Sequence, residues 1–486
     1  LKTGLSIDPS LIPLDVLGIV RALKPSSSYV VGGVVRDMAG ALLEGRQPDA
    51  DSLEETDWDI ATSCRPHQAL RLLRKAGFVV LPIGIEHGTV VVHPRTGKGK
   101  ADPTRRYEVT TFRIDSKCYG RHADVDFAET LEEDLKRRDF TVNALAIEPE
   151  TGHIFDYQGG LEDLQKGIIR AVGVPSQRFQ EDYLRLLRAI RFAAALEANI
   201  EEETWEAIRE QAGGIKTISA ERVRDELLKT LKYEKPSHGF LLMHDCGLME
   251  HILPELENCF GVEQNQYHAD DVARHTLLTV DALHPRYPFL RFVALMHDLG
   301  KPAAKKYMED RDDYVFYNHE IISARMAVRI MKRLRFSSKE IHRAELLIRT
   351  HMYNIEPGMT KKTLRRWLHR IGRENFNDFL RLRMADRRGN RMQPPTLEPG
   401  LYEAVRLVRQ ILRDQDALSL SDLQINGHDL MRLGVKPGPE IGKILNGLLE
   451  LVLDNSALNR RDILLQQARR IIERGEGASD SGTPDI

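Results

Sequence analysis

The sequence predicts an α+β N-terminal head followed by a long all-α body, and three observations carry that expectation. Over residues 29–147, short β-rich runs (YVVGGVV, FVVLPI, GTVVVHP, YEVTTFRI, FTVNALAI) alternate with helical pieces. Beyond about residue 160 the strand pattern ends, and YLRLLRAIRFAAAL, ERVRDELLKTLKY, RFVALMHDL, ARMAVRIMKRL and IGKILNGLLELVL all carry apolar residues at helical spacing. At 486 residues the chain is too long for one compact core, so roughly three or four units are expected. The closing EGASDSGTPDI has the composition of a disordered tail.

Composition narrows the function classes. Charged residues make up 29% and apolar residues 42%, no apolar run approaches bilayer length, and no basic-then-apolar signal pattern opens the chain. A cytoplasmic protein with no membrane partner is expected. Cys64, Cys118, Cys246 and Cys259 form no CxxC pair, which fits a reducing compartment. Because the chain begins at Leu1 rather than Met, a short preceding piece is also expected. The net charge of −2 speaks against a nucleic-acid partner for the molecule as a whole. Residues 361–373, 381–391 and 459–470 are nevertheless strongly basic, while acids gather at 49–59, 129–134 and 201–206. The basic runs read either as solvated helix faces or as an RNA-facing surface.

The head carries the clearest chemistry. YVVGGVVRD is an apolar strand that enters Gly32-Gly33 and then a helix bearing Arg36-Asp37. Paired glycines let a backbone approach phosphates closely, and amides at a helix N-terminus favour anions. TDWDIAT follows, placing Asp57 and Asp59 at i and i+2 at the edge of a strand, where both point to one face and repel unless a cation sits between them. Two such carboxylates beside a phosphate-cradling turn suit Mg²⁺, which takes oxygen ligands and completes its shell with water and substrate phosphate. D-x-D also occurs at 49–51, 124–126 and 414–416, but none of those follows a GG turn or opens an apolar strand. Glu108, on another expected strand, is either a third carboxylate of the site or a surface residue.

VVGGVVRD, DWDIAT, EVTTFR, LEEDLKRRDFTVNALAI, EDYLRLLRAIRFAA and ISAERVRDELLKTL occur in the order seen in class II tRNA nucleotidyltransferases, the CCA-adding enzymes, and the chain resembles that family over residues 25–260 and more loosely beyond. The resemblance implies a polymerase-beta-like head (1–150), a helical neck with a nucleotide-selecting motif (151–215), a helical body (216–260) and a tRNA-contacting helical tail (393–474), with 475–486 disordered. It implies template-independent addition of C, C and A to the tRNA 3′ end from CTP and ATP by two-metal nucleotidyl transfer. It makes Asp57 and Asp59 the catalytic Mg²⁺ ligands and gives Gly32, Gly33 and Arg36 to the triphosphate. Arg138, Asp139 and Asn143 become ribose and phosphate contacts, and Asp182, Arg185, Arg188 and Arg191 complete the nucleotide-binding set.

Asp182 and Arg185 stand three apart on an expected helix, so both reach from one face. Cytosine and adenine each present an exocyclic amine beside a ring-nitrogen acceptor, whereas uracil and guanine place a carbonyl where the amine would be. An Asp acceptor beside an Arg donor therefore reads the base. The bland alternative is an intrahelical ion pair.

A second centre is expected further along. His297-Asp298 in LMHDLGK has companions in His275 (VARHTLL) and Asp386 (RMADRRGN), unlike the isolated His244-Asp245 and His428-Asp429. The set resembles the H…HD…D metal signature of HD-domain phosphohydrolases, which implies an HD domain over 261–392 holding a divalent transition metal or Mg²⁺. His319 and His351 are candidate supporting groups. Gly300 is expected to stop the helix. Alternatives to full CCA addition are an A-adding or CC-adding specialist, a poly(A) polymerase, and an HD phosphohydrolase whose head merely binds RNA. The full-length look of residues 113–135 speaks against a CC-only enzyme, and oligomeric state is not legible at this level.

Overall fold

Among the described residues, ten short strands build the head: β1 (Lys2–Ser6), β2 (Ser28–Val31), β3 (Trp58–Thr62), β4 (Val79–Leu81), β5 (Thr89–His93), β6 (Tyr107–Thr111), β7 (Arg113–Asp115), β8 (Val125–Phe127), β9 (Leu145–Ile147) and β10 (His153–Asp156). The computed structural model describes residues 2–48, 57–97, 99–115, 125–353, 355–392 and 399–474. Residues 49–56, residues 116–124 of the 113–135 segment that bears on CC-only addition, and the tail at 475–486 lie outside the described residues. Eight strands form one sheet in the order β1-β10-β9-β2-β3-β6-β5-β4, and β7 and β8 make a separate antiparallel ribbon. Only β3 and β6 run parallel within the large sheet, and their register sets Asp59 opposite Glu108. β1 is not expected from the sequence, because KTGLS has too few apolar residues to alternate.

Period-two alternation sorts the sheet into two faces. Trp58 and Ile60 of β3 join Val30, Val90, Val92 and Val109 under the helices Leu14–Ala22, Gly33–Leu43 and Pro66–Lys75. Ala61 joins Val31, Phe112, Leu135, Ala146 and Phe155 in a smaller core on the other side. Asp59 shares that second side with Ala61, so the strand that buries Ile60 among helices also delivers a carboxylate to the open face.

The chain falls into two compact units, Leu1–Pro254 and Glu255–Ile486. In the first, the expected single helix through EDYLRLLRA is two helices, Pro175–Glu181 and Leu184–Leu196, and Asp182 between them is extended (φ −156°, ψ 101°). Two interactions hold the break. The Asp182 carboxylate accepts from the Leu184 N–H at 3.1 Å, and Tyr183 lies so close to Gly214 that a Cβ there would stand 2.3 Å from the ring. Strands do not end altogether at residue 160: Ile168–Ile169 pairs with Asn199–Ile200, and Lys306–Met308 with Asp313–Val315.

The second unit is helical. Val272–Asp281, Pro288–Met296, His319–Arg333, Ser338–Thr350 and Phe376–Gly389 pack together, and Lys361–Ile371, Pro399–Arg413, Pro439–Asp454 and Arg461–Arg474 follow. Gly300 is not the expected helix stop, since its φ is −81°. It serves close packing instead: a Cβ there would sit 2.5 Å from the His319 carbonyl, and its N–H donates to Ser323 Oγ at 2.8 Å. Among the described residues no helix is long and apolar enough to cross a membrane.

Candidate active site

A cleft of about 370 Å³ opens on the second face of the sheet, lined by Asp59, Glu108, Arg138, Asp139, Asp182, Arg185, Arg188 and Arg222 among others. Asp57 is exposed just ahead of β3, one pleat from Asp59. Gly32 adopts φ +87°, and a Cβ on it would stand 2.9 Å from Asp59 Oδ2, so only glycine fits this turn. The helix Gly33–Leu43 starts at the next residue and offers its free amides beside the carboxylates.

The electrostatics suit a cation. Burial, then Glu108, and more weakly Asp57 push the Asp59 carboxyl up to about 6, although Arg138 and Arg106 pull the other way. Glu108 is paired with Arg106 at 2.5 Å, whereas no ion pair to Asp57 or Asp59 is found among the described residues. A buried carboxylate short of positive charge, with two further carboxylates nearby, is a donor set suited to a hard divalent ion.

Beside this site runs a hydrogen-bonded relay. Arg36 Nη1 donates to Asn143 Oδ1 at 3.0 Å, Asn143 Nδ2 to Asp139 Oδ1 at 3.1 Å, and Arg188 Nε to Asp139 Oδ2 at 2.7 Å. Burial alone would raise the Asp139 carboxyl, but the Arg188 guanidinium and these hydrogen bonds outweigh it and hold the carboxyl below its ordinary value. Arg137 and Arg138 share the buried Asp134, at 3.0 and 3.4 Å. The structure thus links Arg36, Asn143, Asp139 and Arg188 in one hydrogen-bonded chain, and Arg138, Asp139 and Arg188 line the same cleft.

Arg191 departs from expectation. It is buried, and its Nε donates to Glu226 at 2.6 Å and its Nη1 to the Tyr233 hydroxyl at 3.1 Å, so it does not line the cleft. One turn deeper along the helix than Arg188, it meets the packed helix Ala220–Thr230 rather than solvent. Asp182 and Arg185 both line the cleft, but they do not share a helix face and do not pair with each other. Arg185 is held by the Glu181 carboxylate and the Arg178 carbonyl. Asp182 is gripped by Arg222, which sequence reasoning misses although ISAERVRDELL contains it.

The second unit holds a separate buried cluster. Ligand atoms of His275, His297 and Asp386 lie within 4.8 Å of one another, and so do those of His297, Asp298 and His351. The Nδ1–H groups of His297, His319 and His351 donate to the carbonyls of Ala294, Phe316 and Ile348 at 2.7, 2.8 and 2.6 Å, which turns each Nε2 lone pair inward. His297 and His319 Nε2 lie 3.2 and 3.3 Å from Asp298 oxygens without the geometry of a hydrogen bond. Lys301 Nζ stands 2.6 Å from Asp298 Oδ2. Burial opposes charge at His297, but Asp298 and Asp386 outweigh it and push the imidazole up to about 10. His351, with burial and then His297 against its charge, is pushed down to about 3. Tautomer-locked imidazoles with orphaned Nε2 atoms beside two carboxylates fit a divalent metal.

A carboxylate strand beside a glycine turn and a helix N-terminus, faced by arginines across an open cleft, defines a nucleotidyltransferase. Known proteins agree with that class. Residues 28–170 match the poly A polymerase head domain, 199–260 the RNA and SrmB-binding site of polymerase A, and 316–468 tRNA nucleotidyltransferase domain 2. The A-adding tRNA nucleotidyltransferase of Deinococcus radiodurans is 33% identical over 437 residues, covering 88% of this chain and 91% of its own. The CCA-adding enzyme of Ligilactobacillus salivarius is 30% identical over 92% of this chain and 93% of its own. The crystal structure of the Bacillus stearothermophilus CCA-adding enzyme in complex with CTP superposes with a TM-score of 0.65 at 27% identity, over 96% of this chain and 98% of that one. The chain belongs to the tRNA nucleotidyltransferase family, the class II enzymes that include these A-adding and CCA-adding relatives. The family generally uses divalent metal ions.

Proposed function

We propose that this enzyme adds C, C and A to tRNA 3′ ends from CTP and ATP, in the setting of cytoplasmic tRNA processing. The observation that carries the reading is that one cleft contains both the metal-suited Asp59 and the base-reading candidates Asp182 and Arg185. Mg²⁺ bound by Asp57 and Asp59 would supply the Lewis acidity that eases deprotonation of the tRNA 3′-hydroxyl and stabilises charge on the α-phosphate. The chain does the rest by positioning. Gly32, Gly33 and the amides of the following helix receive the triphosphate, with Arg36 and Arg138 neutralising it. Asn143 and Asp139 orient the sugar while fixing the two arginines they touch. The hydroxyl attacks the α-phosphate in line, a new P–O bond forms, and the bond to the departing pyrophosphate breaks. No covalent enzyme intermediate is required.

A-only addition is the second reading, favoured by the identity to an A-adding relative. Purified protein given tRNA transcripts ending before the first C, after both C residues, and after the terminal A distinguishes them, with each labelled nucleotide in turn. The proposal expects C, C and A on the first, A alone on the second and nothing on the third. Extension of the second transcript only identifies the A-adding specialist, and extension of none overturns both readings.

In the second unit, His275, His297, Asp298 and Asp386 form the ligand set of a metal-dependent phosphohydrolase, with Mg²⁺ or a divalent transition metal as its ion. The unpartnered Nε2 of His297 and the closeness of its ligand atoms to those of His275, Asp298 and Asp386 support this reading.

A further inference from the structure

Asp182 projects into the cleft from the break between two helices, with its carboxylate clasped from the neighbouring helix Ala220–Thr230. Arg222 Nη1 donates to Oδ1 at 3.2 Å and Nη2 to Oδ2 at 2.7 Å. The backbone N–H of Leu184 donates to Oδ1 at 3.1 Å. A carboxylate offers about four lone-pair positions. The guanidinium fork takes one on each oxygen and the capping amide a second on Oδ1, so a single acceptor position is left, on Oδ2.

We propose that Arg222 is a positioning residue for base selection, its two-pronged hold leaving Asp182 one fixed acceptor for the exocyclic amine of cytosine or adenine. The inference rests on the reading that Asp182 and Arg185 contact the base. Uracil and guanine are not without a donor: each has a ring N–H next to the carbonyl that replaces the amine. A carboxylate free to swing accepts from that ring N–H while Arg185 donates to the carbonyl, and discrimination is lost. Arg222 forbids the swing. Arg185 is fixed in the same manner by Glu181 and the Arg178 carbonyl, so donor and acceptor are both set before a nucleotide arrives. A purely structural role is a poor account of the contact. Arg222 is half exposed and Asp182 partly so, and ion pairs of that kind add little to stability.

The test compares kcat/KM for CTP, ATP, UTP and GTP on tRNA lacking CCA and on tRNA lacking the final A, in wild type, Arg222→Gln, Arg222→Lys and Asp182→Asn. For Arg222→Gln the CTP-over-UTP and ATP-over-GTP ratios should fall about tenfold, the worth of one misaligned charge-assisted hydrogen bond. The kcat for CTP and ATP should change less than those ratios. Arg222→Lys, which keeps the charge but not the fork, should fall between Gln and wild type. If Asp182→Asn leaves the ratios intact, base reading by Asp182 is itself wrong. If Asp182→Asn collapses them while Arg222→Gln preserves them, or lowers all four kcat/KM values equally, the positioning role of Arg222 is overturned alone.

Discussion

Asp59 shows at the scale of one residue how a functional group lowers stability. Its carboxyl is pushed up to about 6 from an ordinary 3.8 by burial and by Glu108. The native state therefore holds a proton that the unfolded chain has released between those values. Stability from this group is fully present below the ordinary value and is lost as pH rises through about 6. A carboxyl displaced that far upward costs the ionised native state at most about 3 kcal/mol. With EDTA present, Asp59→Asn should be more stable than wild type at about pH 7.5 by about 1–3 kcal/mol, with the difference vanishing near about pH 4. Urea titrations at the two pH values measure this, and a variant less stable than wild type at the higher pH would contradict the site's shortage of positive charge. Nucleotide addition should be abolished in the same variant, and in Asp57→Ala. The pair is legible in the sequence because period-two alternation is strict: once Ile60 goes to the core, Asp59 must face the other way.

At the scale of elements, legibility depends on whether the decisive contact is local. The arginines of LRLLRAIR obey helical spacing and their helix is readable, but the break at Asp182 is not, since the apolar period runs on without interruption. One of the two interactions that hold that break comes from Gly214, which admits the Tyr183 ring from about thirty residues away in the chain. Arg191 escapes sequence reading for a related reason, because its partner Glu226 belongs to a helix that periodicity cannot orient. The histidine cluster is legible as a motif and becomes a site only through helix ends: His297 and His351 cap their helices and His319 begins one, each with Nδ1 tied to the carbonyl three residues back. Because His297 is pushed up to about 10, the metal-free cluster carries a proton at neutral pH that a metal must displace. Titrating Mn²⁺ or Zn²⁺ into the full chain in two buffers of different ionisation enthalpy should reveal release of about one proton per ion. His297→Ala should lose that signal and any metal-stimulated phosphatase activity while retaining nucleotide addition. Loss of both activities would instead assign the helix a structural role.

Across the whole molecule, much of the charge in the basic runs is engaged in ion pairs within the second unit, most of them at the surface. Arg365 is buried, with Nε donating to the Leu453 carbonyl at 2.8 Å, Nη2 to the Asp454 carbonyl at 2.9 Å and Nη1 to Asp416 at 3.1 Å. It clamps the helices Lys361–Ile371 and Pro439–Asp454 together and is not a solvated side chain. Arg366 pairs with Glu450 and Asp454, Arg391 with Asp270, and Arg461 with Asp429. A different stripe remains available. Tyr402, Arg406, Arg409 and Arg413 lie on one face of the helix Pro399–Arg413 and, with Phe376, line a groove of about 570 Å³. No carboxylate pairs with Arg406 or Arg409 among the described residues. Phosphate binding releases counterions at roughly 0.7–0.9 per contact. Replacing Arg406 and Arg409 together by Gln should therefore reduce the slope of log K for tRNA against log salt by about 1–2. Arg365→Gln should leave that slope unchanged and instead destabilise the fold by about 2–4 kcal/mol, because it strands Asp416 and two carbonyls. Fluorescence anisotropy with labelled tRNA from low to moderate salt, paired with thermal unfolding, separates the two outcomes. An unaltered slope in the double variant would move the phosphate contacts off this helix, and an altered slope with unchanged stability in Arg365→Gln would return them to the basic run.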